Sequence, residues 1–299
     1  MFFLEKLIQG VITKLDKKST VPQKPQLNIK EFMSPLVERG NPMVVVHISD
    51  LHNAVLDKNY IVQKLQGFEP DAIFITGDGG HNQSKEDSFE ETYGNFLANC
   101  AWLAKIAPTF YVEGNHDHNN ESYLGRLKEE LETRGVIFLQ NGESREMEKI
   151  KIFGVSDSVI PGKIDQQLAA SLGELGEKDR LTFLLAHRPG LKFRKVYARY
   201  PEFDLTFCGH AHGGQWRIPF LGVGLAAPDE GLLPKSTSGF LNVGSESWVH
   251  VSRGSSYCFG PRLFNQPEIT LVVIKHGLTQ QNESDRNHGL NILAGKILR

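Results

Sequence analysis

Met43–Asn53 reads MVVVHISDLHN, an apolar, β-branched run that stops at two residues with metal-ligating side chains, Asp50 and His52. The run is short and almost continuously apolar, so it reads as a strand buried on both faces. Strands of that kind belong to α/β proteins, whose strand ends open into loops where ligands bind. The same texture recurs along the chain. AIFIT (72–76), TFYVE (109–113), VIFL (136–139), IKIFGV (150–155), LTFLLA (181–186), LTFC (205–208), WVHVS (248–252) and ITLVVIK (269–275) read as further buried strands. Helical stretches fall between them, near 58–68, 88–106, 120–134 and 164–175.

The gross composition narrows the function classes. Thirty-three basic and 35 acidic residues leave a formal net charge of -2, which argues against a general nucleic-acid-binding surface. The three cysteines, Cys100, Cys208 and Cys258, are scattered and form no CxxC pair. That usage suits a reducing, cytoplasmic compartment. No apolar run reaches the ~18 residues of a spanning helix. MFFLEKLIQGVITKLDKK (1–18) places Leu4, Leu7, Ile8, Val11, Ile12 and Leu15 at helical spacing among lysines. Such a segment either packs on the body of the protein or lies on a membrane surface. STVPQKPQ (19–26) reads as a linker. The expected organisation is an amphipathic segment and linker over 1–42, one domain over 43–275, and a polar tail over 276–299.

Five strand ends deliver polar, metal-capable side chains to one sheet edge: Asp50 and His52; Asp78 in ITGDGGHN; Asn115, His116 and Asp117 in VEGNHDH; His187 in LLAHRP; and His210 and His212 in FCGHAH. Any one such residue is commonly a hydrogen-bonded surface or turn residue. Five ends carrying the same residue types point instead to one shared ligand. Residues i and i+2 of an extended segment face the same side, so Asp50 with His52, and His210 with His212, are expected to act as pairs. Nitrogen and oxygen donors without thiolate suit Mn, Fe or Zn.

In order along the chain, Asp50-x-His52, Gly77-Asp78, Gly114-Asn115-His116-Asp117, His187 and Gly209-His210-x-His212 resemble the motifs of the calcineurin-like metallophosphoesterases. GHAHGGQWRIPFLG (209–222) is similar to the YkuE-like branch and to UDP-2,3-diacylglucosamine pyrophosphatases. The resemblance implies an α/β fold: a four-layer α/β/β/α sandwich of two mixed sheets with a dinuclear metal centre at the strand-end edge. It implies that Asp50, His52 and His212 bind one ion, that Asn115, His187 and His210 bind the other, and that Asp78 bridges them.

Two divalent ions ~3.5–4 Å apart share a hydroxide and clamp a phosphoryl group for in-line attack. Two such ions, two carboxylates and one hydroxide leave a net charge of about +1, which favours an anionic phosphoester. His116 is the candidate general acid. Many members of that family carry an acidic residue where this chain has His81, so either Asp117 or a backbone carbonyl orients His116, or His81 itself meets substrate. Arg188 and Arg217, with Arg253 behind them, are candidates for phosphate oxygens or for ordinary ion pairs. The expected substrate is a phosphorylated small molecule or lipid. A non-catalytic scaffold on the same fold is the reading from another class, although none of the ligand positions is lost here.

Overall fold

A computed structural model describes residues 22–278 apart from 82–86, 119–120, 172, 174–178, 219–222, 235, 245–246 and 258–261. The amphipathic segment 1–18 and most of the C-terminal tail lie outside the described residues. Every strand expected from the apolar runs is present within a residue or two: β2 (Met43–Ile48), β3 (Ala72–Thr76), β4 (Thr109–Val112), β5 (Val136–Phe138), β7 (Ile150–Gly154), β8 (Leu181–Leu185), β9 (Leu205–Cys208), β13 (Trp248–Val251) and β14 (Glu268–His276). The expected helices are present as α1 (Lys58–Leu65), α2 (Phe89–Leu103), α4 (Glu121–Glu132) and α5 (Pro161–Ser171). The remaining strands and α-helices of the described residues are β1 (Gln26–Ser34), α3 (Asn115–His118), β6 (Ser144–Glu146), α6 (Leu191–Tyr197), β10 (Ala226–Ala227), β11 (Gly231–Leu232) and β12 (Gly239–Asn242).

Among the described residues the strands form two mixed six-stranded sheets, ordered β1-β14-β2-β3-β4-β5 and β12-β13-β9-β8-β7-β6. Within the first sheet β2, β3, β4 and β5 are parallel, and within the second β13, β9, β8 and β7 are parallel. Their C-terminal ends therefore share an edge in each sheet. Apolar side chains fill three successive interfaces. Tyr93, Phe96 and Leu103 of α2 pack with Leu127 and Leu131 of α4 on one face of the first sheet. Phe74, Phe110, Phe183 and Phe207 meet between the sheets, Phe74 and Phe207 with ring centroids 5.0 Å apart. Leu168 of α5 and Phe193 of α6 cover the outer face of the second sheet. This is the α/β/β/α sandwich expected from the motifs.

Helix α2 shows how local sequence sets an element. Ser88 N donates to Glu91 Oε2 (2.8 Å) and Glu91 N to Ser88 Oγ (3.3 Å). This reciprocal cap satisfies two backbone donors that the helix start leaves unpaired.

The expected start of the domain at Met43 omits a strand. Gln26–Ser34 runs parallel to β14 from Gln26↔Glu268 to Ser34↔His276 and closes the edge of the first sheet. Only Phe32 and Ser34 of this strand are buried. A half-wet edge strand has no continuous apolar run to mark it.

Candidate metal centre

The ends of β2, β3 and β4 in one sheet and of β8 and β9 in the other carry the residues singled out from the sequence. Among the described residues two groups have ligand atoms all within 4.8 Å of one another: Asp50, His52, Asp78 and His212; and Asp78, His187 and His210. In the first group His52 Nε2 and His212 Nε2 are 3.3 Å apart, and Asp50 Oδ1 is 3.5 Å from His212 Nε2. In the second, His187 Nε2 lies 3.2 Å from His210 Nδ1 and 3.2 Å from Asn115 Oδ1. Asp78 belongs to both. Its Oδ2 is 3.3 Å from His187 Nε2 and 3.9 Å from His52 Nε2, while Oδ1 accepts from His116 N at 2.9 Å. One carboxylate oxygen is thus anchored to the backbone and the other faces both groups.

The backbone reaches this arrangement by turning, not by staying extended. Asp50 (φ 54°), His52 (φ 47°), Asp78 (φ 53°), His210 (φ 66°) and His212 (φ 46°) all adopt the left-handed conformation. The paired residues therefore converge through successive sharp turns, which corrects the expectation of an extended i, i+2 pair. Each such non-glycine turn costs on the order of 1–3 kcal/mol and is characteristic of sites that fix side chains for a ligand. Close approach of the two sheets needs glycine as well. A Cβ on Gly209 would overlap Ser49 Oγ and stand 2.6 Å from Asp50 Oδ2.

The histidines are backed from behind. His187 Nδ1 pairs with Thr76 O at 2.8 Å, which leaves Nε2 facing the cluster. His210 presents the opposite nitrogen, because its Nε2 meets Asp229 Oδ2 at 3.1 Å. Such partners fix the tautomer and the ring orientation of a metal-binding imidazole. Asn265 Nδ2 donates to His212 O at 2.7 Å and to Gln215 O at 3.0 Å, which holds the turn carrying His212.

Burial and mutual charge set the protonation of the cluster. Burial by itself raises Asp78, but the charge of His187 and its hydrogen bond outweigh this and hold Asp78 well below the usual carboxylate range. Asp50 is pushed up to about 6 by burial, against the charge of His187 and with that of Asp78. His187 rises to about 10, since Asp78 overcomes the burial that would lower it. Burial keeps His52 and His212 well below the ordinary imidazole value. The buried oxygen and nitrogen donors, with one shared carboxylate, fit two borderline divalent ions.

The family model of the calcineurin-like phosphoesterase matches residues 43–214. The chain belongs to the calcineurin-like phosphoesterase family. Phosphodiesterase YaeI of Escherichia coli is 30% identical over 176 residues, covering 57% of this chain and 59% of its own. The metallophosphoesterase YkuE of Bacillus subtilis is 28% identical over 256 residues, covering 81% of this chain and 82% of its own. The metallophosphoesterase Cj0846 of Campylobacter jejuni is 26% identical over 241 residues, 77% of this chain and 57% of its own. The chain thus spans less than two thirds of YaeI and of Cj0846. The similarity to YkuE matches the branch suggested by GHAHGGQWRIPFLG.

Around this calcineurin-like core, several neighbours depart from expectation. The ring of His116 stands 5.0 Å from that of His52, nearly perpendicular, and that of His81 stands 5.8 Å from it. Both flank the first group. Asp117 turns away from His116. Its carboxylate accepts from Tyr111 Oη (2.5 Å), Gly114 N (2.9 Å) and Gly80 N (3.1 Å), and so ties the loops after β3 and β4 together. Arg188 is buried between carboxylates, bonding Asp157 through Nε (2.9 Å) and Nη2 (3.0 Å) and Asp229 through Nη1 (2.7 Å). Arg188 thus makes ion pairs, and its Nη1 also lies 3.3 Å from His210 Nε2 at the second group. Arg253 likewise bonds Glu268 Oε2 through Nε at 2.7 Å. Arg217 Nη1 donates to Gly213 O (3.1 Å) and Thr237 Oγ1 (3.2 Å), close behind His212.

Asp229 and Arg262 escaped the sequence reading. Arg262 Nη2 lies 3.2 Å from His212 Nδ1, and burial lowers this guanidinium to about 10. Asp229 follows LGVGLAAP (221–228) and Arg262 lies in FGPRLF (259–264), stretches broken by glycine and proline that do not read as buried strands.

Proposed function

We propose that the chain is a dinuclear-metal phosphoesterase that hydrolyses a P–O bond. Asp50, His52 and His212 are assigned to one ion, Asn115, His187 and His210 to the other, and Asp78 to both. The observation that carries this reading is the shared Asp78 carboxylate, whose Oδ2 faces a histidine of each group. Two divalent Mn, Fe or Zn ions held there supply Lewis acidity, an activated water and a clamp for the phosphoryl group. Asn115 contributes a neutral oxygen, so the residues set the charge through Asp50 and Asp78 alone. His116 is assigned as general acid for the leaving oxygen. Its backbone N–H orients Asp78 while its ring faces the first group. His81 and Arg217 are the substrate contacts, and Arg188 acts through Asp229 on His210.

The relative named a phosphodiesterase, YaeI, supports a diester or pyrophosphate substrate. A lipid-linked nucleotide pyrophosphate of the UDP-2,3-diacylglucosamine type is the finer form of that reading. Its specific support is the likeness of residues 209–222 to that group.

Elemental analysis of the purified chain, with hydrolysis of p-nitrophenyl phosphate and bis-p-nitrophenyl phosphate, tests the assignment. About two transition-metal ions per chain and metal-dependent hydrolysis are expected, abolished by chelation and restored by Mn²⁺ or Zn²⁺. A chain that binds no metal and cleaves neither ester is a scaffold on a phosphoesterase fold, and the assignment fails.

A further inference from the structure

The loops beyond His212 hold large apolar side chains out into solvent at the metal edge. Trp216 bridges to Leu263, Leu225 N donates to Trp216 O at 2.7 Å, and Leu233 N donates to Leu225 O at 2.9 Å. These segments form one ledge, which the pairing of β10 with β11 extends to Leu232. Leu232 is 79% exposed, Phe264 66% and Leu233 55%, and Trp216, Leu225 and Leu263 are exposed beside them. A soluble surface scatters such residues singly. Here they share adjoining backbone, and Asn265 connects that backbone to the carbonyl of His212.

The ledge is held in place at a cost. Leu233 (φ 50°) and Phe264 (φ 52°) adopt left-handed backbone that bulky side chains avoid. Neither side chain gains core packing in return, and strained backbone of this kind clusters at ligand-binding and switch regions. The carboxylates of the hairpin do not charge it. Asp229 is engaged by Arg188 and His210, and Glu230 pairs with Arg194 at 3.0 Å.

The chain's own N-terminus indicates the occupant. Gln23 N donates to Val55 O, and Gln26 N donates to Pro267 O at 2.8 Å, close after Phe264 in the chain. The first described residues therefore lie at the edge where β2 ends, which is the edge that carries the ledge. By sequence the residues that precede Pro22 combine Leu4, Leu7, Ile8, Val11, Ile12 and Leu15 with Lys6, Lys14, Lys17 and Lys18. A chain whose sequence combines a basic amphipathic stretch with an apolar ledge matches an anionic bilayer. Apolar side chains enter the headgroup–acyl boundary, and lysines meet lipid phosphates.

We propose that this ledge is a membrane-docking surface that seats the metal edge against an anionic lipid bilayer. Docked in this way, the metal centre faces the phosphoesters of lipid headgroups. That consequence rests on the phosphoesterase reading, whereas the docking itself does not.

Flotation of the full-length, metal-loaded chain with phosphatidylglycerol–phosphatidylcholine vesicles, and with phosphatidylcholine alone, tests the surface. The wild type is expected to float with the anionic vesicles. A Leu232→Glu, Phe264→Glu double variant is expected to partition at least ~10-fold more weakly, with its metal content and its hydrolysis of soluble p-nitrophenyl esters unchanged. If that variant loses its metal, a Leu232→Ser, Phe264→Ser pair carries the same expectation. Undiminished flotation of a metal-replete variant overturns the proposal, and so does a wild type that never floats. A wild-type dimer that the substitutions convert to monomer, without vesicle binding, also overturns it and assigns the ledge to a second copy of this chain. Flotation without any ester hydrolysis leaves the docking surface standing and removes the phosphoesterase reading alone.

Discussion

His210 is gripped on both nitrogens. Its Nδ1 faces His187, its Nε2 meets Asp229, and Arg188 in turn holds Asp229 at 2.7 Å. An imidazole backed by a carboxylate is fixed in tautomer and is a better metal donor. Asp229→Asn keeps the shape and removes the charge. Affinity for the ion assigned to His210 is therefore expected to fall ~10–100-fold, read by titrating the metal-stripped chain with Zn²⁺ or Mn²⁺. Unchanged affinity would remove Asp229 from the centre. This support is not legible in the sequence, because PDEG (228–231) has the composition of an ordinary turn. The histidines are legible because their residue type and their place after apolar runs coincide five times over. Direction is the missing part. Asp117 adjoins His116 in sequence, yet its carboxylate points to the Tyr111 hydroxyl and to backbone amides.

Strand ends, more than strands, build the centre. β2 and β9 belong to different sheets, yet a Cβ on Gly209 would overlap Ser49 Oγ and crowd Asp50. Ser49 has little freedom to yield, since its hydroxyl donates to Thr76 O at 3.0 Å. Gly209→Ala is expected to destabilise the chain by about 1–3 kcal/mol through overpacking and to lower the metal content below two ions per chain. Thermal unfolding and elemental analysis read the two effects, and a variant with wild-type values for both would show that the sheets can part here without loss. The strands themselves are legible because burial on both faces makes each a continuous apolar run. β1 is hidden because it is an edge strand with charged residues facing solvent. The left-handed turns at Asp50, His52, His210 and His212 are hidden for another reason. Aspartate and histidine tolerate that conformation without demanding it, so only the neighbouring sheet decides.

Between the sheets, well inside the sandwich, His47 of β2 and His250 of β13 join the two halves of the molecule. Their Nδ1 atoms are 2.8 Å apart, and His47 Nε2 reaches Thr76 Oγ1 at 2.8 Å. The rings of Phe207 and Phe240 stand 5.2 Å from His47 and 5.0 Å from His250, respectively. Burial, reinforced by the charge of His250, depresses His47 well below the ordinary imidazole value, and burial lowers His250 to about 4 despite the nearby Glu268. The unfolded chain, with imidazoles titrating near ~6.5, binds protons that the folded pair refuses. Stability from this source is therefore complete above pH ~6.5 and is lost as pH falls toward 4, at a slope approaching about 1.4 kcal/mol per pH unit for each proton. His250→Asn offers His47 a hydrogen-bond partner and removes one titrating group. Urea unfolding of the metal-stripped wild type and variant at pH 7.5 and pH 5.0 compares them with the remaining histidines held in common. The wild type is expected to lose more stability than the variant over that interval, by roughly 1–2 kcal/mol. Equal losses in the two proteins would mean that His250 takes up its proton without opening the sandwich, and that acid sensitivity resides at the metal edge instead.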